Sequence, residues 1–98
     1  MFTTVRTFRL RSTNIDDVVR RIHDEIGPTL KKIPGFKSYR IVDFRDGTYG
    51  SISIFETEQA ANKANSIAFE AAGVQLADIL EITGVKVWRT LLEAADKD

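Results

Sequence analysis

The chain has no cysteine. Disulfides, thiolate nucleophiles and zinc–thiolate sites are therefore excluded. A single histidine, His23, leaves one side chain whose ordinary pKa lies near neutrality. No paired carboxylate motif stands beside it, so no metal site is expected. Charge of one sign is also lacking, because the formal net charge is +0. Phosphate binding needs a basic excess or stripe, so nucleic acid is not an expected partner. The basic pairs Arg20-Arg21 and Lys31-Lys32 share a segment with Asp16, Asp17, Asp24 and Glu25, which reads as a solvated mixed-charge face. No apolar run approaches the roughly 20 residues of a membrane span. The first ten residues alternate polar and apolar and contain arginines, unlike a secretory leader, so the expectation is a cytoplasmic protein. No Ser-His-Asp arrangement, phosphate-binding glycine loop, paired catalytic carboxylates or nucleotide motif is present.

What is present suits one globular domain. At 98 residues the chain has single-domain length, with residues 92–98 read as a flexible tail. Residues 2–10, rich in Thr, Val and Phe, read as a first strand. Ser12, Thr13 and Asn14 are helix N-cap candidates, with Asp16 and Asp17 in the first turn, where the helix dipole favours negative charge. Ile15, Val18, Val19, Ile22, Ile26 and Leu30 recur as one apolar helical stripe, with a kink or restart expected at Gly27-Pro28 and a stop at Pro34-Gly35. Residues 36–44 and 48–56 read as a hairpin around Asp46-Gly47. A two-residue turn pairs Val42 with Ser51 and Ile41 with Ile52, placing Tyr39, Ile41, Ile52 and Ile54 on one face. The other face then holds Phe36, Val42, Phe44, Tyr49, Phe55, Arg40, Ser51 and Ser53. Thr57 caps a second helix whose stripe is Ala60, Ala64, Ile67, Ala68 and Ala71. Gly73 weakens this helix, residues 74–80 are expected to continue it after a bend or break, and residues 82–90 are expected to form the last strand.

This β-α-β-β-α-β order implies an α+β ferredoxin-like fold: a four-stranded antiparallel sheet, order 4-1-3-2, with two helices on one face. The other face lacks cover, yet large apolar residues fall on both sides of the hairpin. An exposed apolar face of several hundred square ångströms favours pairing with an identical sheet, so a homodimer is expected.

The stretch IPGFKSYRIVDFRDGTYGSISIFETEQAANKANSIAFEAA, followed by GVKVWR, resembles the antibiotic-biosynthesis-monooxygenase-like group of dimeric α+β barrel proteins. The resemblance rests on Pro34-Gly35-Phe36, on Phe55-Glu56 and on the helix start Thr57 to Ala61, and spans residues 2–90. It implies a homodimer whose sheets close into a barrel, with a pocket between sheet and helices in each subunit. Some members are cofactor-independent monooxygenases of polycyclic phenols, and others degrade haem. The haem-degrading pattern of a first-strand Asn, a Trp near the end of strand three and a His on the second helix is missing. Phe55 stands at the Trp position. The resemblance thus implies no cofactor. For the quinone-forming branch, Asn62, Asn65, Tyr49, Trp88 and Arg89 are compatible in type, although the second helix lacks that branch's Trp.

The candidate catalytic residues are His23, as general base for a phenol, and Arg40, as partner of an anion or oxyanion. His23 sits at the edge of the apolar stripe, where an exposed helix histidine is the alternative. Arg40 on a largely apolar face needs a partner, which an ion pair within the fold or across the interface also supplies. Arg6 and Asp43, inside strands, could form such pairs too. Tyr49, Asn65 and Trp88 are candidate substrate-binding residues. Tyr39, Tyr49 and Trp88 each offer a ring and a polar tip for an aromatic ligand, against a place in core or interface. Two readings stand: a monooxygenase-like enzyme acting on a small hydrophobic or aromatic molecule, and a non-catalytic structural or ligand-binding homodimer. A cavity containing His23 or Arg40 favours the first. One filled by Phe44, Phe55, Phe69 or Trp88 favours the second.

Overall fold

β1 (Phe2–Leu10) forms because its Thr, Val and Phe side chains fit a pleated surface, and it becomes a central strand. α1 (Ile15–Glu25) starts at Asn14, whose side-chain oxygen accepts from the Asp17 amide at 3.1 Å. α2 (Gly27–Lys31) is the expected restart at Gly27-Pro28. β2 (Phe36–Asp43) and β3 (Tyr49–Phe55) make the hairpin, α3 (Glu58–Val74) follows its Thr57 cap, and β4 (Leu80–Arg89) closes the sheet. The computed structural model describes residues 1–94. The expected tail falls partly on residues 95–98, which lie outside the described residues.

The sheet is antiparallel with order β2-β3-β1-β4, the order the element sequence implies. All three helices cover one face. Their apolar stripe is Val18, Ile22, Ile26 and Leu30, while Ala60, Ala61, Ala64, Ala68 and Ala71 let α3 lie close on the sheet. Phe8, Phe55, Leu76, Ile79 and Leu80 complete that core. Among the described residues, no helix is long and apolar enough to cross a membrane.

Two expectations are corrected. The segment after Val74 does not continue the helix. The amides of Gln75 and Leu76 both donate to Ala71 O, and the chain turns so that Leu76 and Ile79 enter the core before β4 begins. The hairpin register is also shifted by one residue: Ile41 faces Ser51, Val42 faces Gly50 and Arg40 faces Ile52. Phe44 N–H donates to Thr48 O, leaving a three-residue loop of Arg45, Asp46 and Gly47. Arg45 (φ 64°) and Gly47 (φ 94°) are both left-handed, and Asp43 Oδ1 accepts from the Arg45 amide at 2.7 Å. A one-residue slip exchanges faces. Ser51, Ser53 and Tyr39 therefore turn toward the helices, while Arg40, Val42, Ile52 and Ile54 turn to the open face.

This loop carries a prediction. Replacing Arg45 with Gly removes left-handed strain and raises stability by about 0.5–1 kcal/mol, whereas Gly47→Ala lowers it by about 1 kcal/mol. Urea titration measures both. A two-residue turn would place Arg45 in a strand, where Arg45→Gly would instead destabilise.

Candidate functional site

β1 alternates, so Thr4, Arg6 and Phe8 share the face beneath the helices, and the β1–β3 ladder sets Ser53 opposite Thr4 and Ser51 opposite Arg6 on that face. Arg6 is 2% exposed. Its Nη1 donates to Asn65 Oδ1 at 2.8 Å, and its Nη2 donates to Ser51 Oγ at 3.0 Å and Ser53 Oγ at 2.6 Å. Thr4 Oγ1 donates to the same Asn65 oxygen at 2.9 Å. Asn65 reaches this point because its place on α3 aligns with Ala61, Ala64 and Ala68, whose small side chains bring the helix down to the sheet. Among the described residues, no ion pair involves Arg6. Burial pulls its pKa down from 12.5 to about 10, so it remains a cation at neutral pH.

Arg6 lines a cavity between sheet and helices. Arg6, Ser51 and Tyr39 are its polar members, and Phe8, Leu30 and Leu76 are among its apolar walls. Its free volume is about 30 Å³, little more than a water molecule needs. Counted out to its mouth, with open space included, the cleft spans about 450 Å³. Tyr39 is held at the edge of this cleft by a bond of 2.7 Å between its hydroxyl and His23 Nδ1. The two rings stack with centroids 6.5 Å apart. Gly27 makes this possible, since a Cβ there would stand 2.8 Å from the Tyr39 oxygen. Burial, and then the negative charge of Asp24, push the Tyr39 pKa up.

Of the residues singled out from sequence, the structure brings one into this network, Asn65. His23 is exposed on α1 and touches the cavity only through Tyr39. Tyr49 stacks on Phe8 at a centroid distance of 5.9 Å. Arg40 does not join Ser51 and Ser53, because the register shift sends it to the open face, where it is exposed. Trp88, opposite Thr3 in the β1–β4 ladder, is also on the open face and 51% exposed. The cavity thus contains neither His23 nor Arg40, and its lining does not include Phe44, Phe55, Phe69 or Trp88. Sequence reasoning passed over Arg6 as a site residue. The available signal was an arginine at an inward position of a strand, between Thr4 and Phe8. Among the described residues, no three His, Cys, Asp or Glu side chains are grouped to hold a metal.

No family model matches the chain, and no curated protein matches it. Solved structures do. SnoaB, a cofactor-independent oxygenase from Streptomyces nogalater, superposes with a TM-score of 0.69 at 15% identity, over 98% of this chain and 97% of that one. A dimeric ferredoxin-like protein from an uncultured marine organism gives 0.66 at 11% identity, covering 96% of this chain and 97% of its own. A variant of MhuD, with two manganese protoporphyrin IX bound per active site, gives 0.68 at 11% identity, covering 97% and 99%. At such identities the likeness is one of architecture. The chain has the ferredoxin-like α+β fold that these structures share.

Proposed function

We propose that this chain binds a small, largely apolar molecule bearing an acidic hydroxyl, such as a hydroxylated aromatic, with that oxygen directed at Arg6. The observation that carries the reading is a buried guanidinium in an apolar cavity with no carboxylate paired to it among the described residues. The lowered pKa of Arg6 corresponds to a desolvation penalty on the order of 3 kcal/mol for the charged form. That penalty is present at every pH below about 10 and lifts only as pH rises through it, so it acts in full at neutrality. Three neutral oxygens hold the cation in place through bonds of about 1.5–3 kcal/mol each, without neutralising it. An oxyanion would add the missing charge.

The reaction that suits such a site is cofactor-independent oxygenation, the activity named for SnoaB. A phenol whose oxyanion rests on Arg6 has electron density at ring carbon. That carbon reduces dioxygen and forms a carbon–oxygen bond as a peroxide, which loses water to give a quinone. Substrate and dioxygen supply every electron, and the protein's part is to stabilise charge and move a proton. The narrow cavity favours a second reading, a non-catalytic ligand-binding or structural dimer, because about 30 Å³ of free space is too little for an aromatic ring unless the walls rearrange. Oxygen uptake with hydroxylated aromatics separates the two, since uptake above the substrate's own rate is required by the first and absent in the second.

The proposed assembly is a homodimer through the open sheet face, where Val5, Val42, Ile52 and Ile54 sit beside the half-exposed Phe44 and Trp88. The marine relative is described as dimeric. Light scattering should give twice the chain mass, and Ile54→Lys should give the single-chain mass with the fold intact by circular dichroism. A monomeric wild-type chain would refute the assembly.

For the site, Asn65→Leu strands the Thr4 hydroxyl and one Arg6 donor, and is expected to cost about 2–4 kcal/mol in urea titration. Arg6→Met replaces the lone buried cation with an apolar side chain of similar length and should leave stability within about 2 kcal/mol. It should nevertheless weaken binding of 4-nitrophenolate, read from the phenolate absorbance, by about tenfold or more. Equal binding by wild type and Arg6→Met would exclude Arg6 as the anion site.

A further inference from the structure

We propose that Tyr39 is the proton-transferring group of the Arg6 cavity and that His23 is the positioning residue that passes the proton to solvent. This rests on the reading above, that the cavity takes an acidic hydroxyl. Tyr39 lines the same cavity as Arg6, and its hydroxyl is bonded to His23 Nδ1 at 2.7 Å, while His23 is exposed. The tyrosine therefore joins the cavity lining to a titratable group in water. Gly27 keeps the crossing point open, since an added Cβ would lie 2.8 Å from the Tyr39 oxygen and 3.7 Å from His23 Nδ1. A larger residue there would push the Tyr39 hydroxyl from its place.

The proton path follows from these contacts. The substrate hydroxyl gives its proton to Tyr39 Oη as Tyr39 gives its own to His23 Nδ1, and the imidazolium releases the Nε2 proton to water. The substrate becomes the oxyanion held by Arg6, Tyr39 ends protonated as it began, and His23 is left as the Nδ1–H tautomer, which exchanges with water back to the Nε2–H form before the next transfer. The relay requires Tyr39 to donate and Nδ1 to accept, which assigns the resting imidazole the tautomer with its proton on Nε2. The concerted order matters, because burial and Asp24 disfavour a standing tyrosinate. The charged groups around the pair are Asp24 on α1, Lys31 on α2, which shares a surface groove with His23, and Arg6 across the cavity.

The test uses 4-nitrophenol as probe with the wild-type chain and Tyr39→Phe. Phenolate absorbance reports binding, and nitrogen NMR of the imidazole reports whether Tyr39 still donates to His23 Nδ1. In the wild type, bound nitrophenolate should move the Nδ1 resonance to that of a ring nitrogen without a donor, because Tyr39 turns its proton toward the bound oxyanion. In Tyr39→Phe, nitrophenolate should bind more weakly for want of that donor but still bind, because Arg6 supplies the charge, and the Nδ1 resonance should not move on binding. An unmoved Nδ1 resonance in the wild type, or an equal change in Tyr39→Phe from the bare field of the anion, overturns the relay while leaving Arg6 binding intact. Absence of any phenolate binding by the wild type overturns the relay together with the reading it rests on.

Discussion

A guanidinium withdrawn almost wholly from bulk water is the constraint around which this small domain is arranged. Burial alone would make Arg6 costly, and the surrounding sequence reads as a response to that cost. Two serines on β3 lie under its Nη2, and an asparagine on α3 meets its Nη1 and gathers the Thr4 hydroxyl as well. Each partner is a neutral oxygen. A carboxylate would have given a self-sufficient ion pair, whereas this arrangement holds the cation in place and keeps its charge available. The alanines of α3 serve the same end, because a bulkier stripe would lift Asn65 away from the sheet.

Element order and layer arrangement were legible in the sequence, because they rest on long periodic segments and strong local signals. The Asn14 and Thr57 caps, the Gly27-Pro28 restart and the strand order all follow from local chemistry. The hairpin register did not follow. Asp46-Gly47 suits a two-residue turn, but the observed loop also recruits Arg45 in a left-handed conformation, with Asp43 accepting its amide hydrogen. Nothing within the loop decides between the two. The decision comes from outside it, since only the observed register puts Tyr39 and Ile41, rather than Arg40 and Val42, on the helix-covered face with Ser51 and Ser53. The end of α3 failed for a related reason: residues 74–80 have helical character locally, but core demand at Leu76 and Ile79 overrides it.

The site was legible in part, and the pattern of what was read is informative. Asn65 was picked out for its chemistry and sits in the network. Arg40 and Trp88 were picked out for theirs and belong to the open face, because a period-two pattern gives side chains in alternation without saying which alternate faces the helices. Tyr39 was read as a ring and a polar tip, and its hydroxyl turns out to join the cavity edge to the lone histidine. Gly27 looked like a helix breaker and also acts as a gap that two side chains need.

Both outer strands of the sheet carry an irregularity. On β2 the ladder skips Lys37, whose ammonium instead meets Glu56 at 2.9 Å, and on β4 it skips Thr83, with Lys86 further along. Kinked rims with protruding ammonium groups make poor templates for a foreign strand. Lateral growth of the sheet into a ribbon is therefore discouraged at both borders. The pairing proposed for the broad flat side would consume that side with one partner, giving the bare apolar surface an outlet other than a fibre.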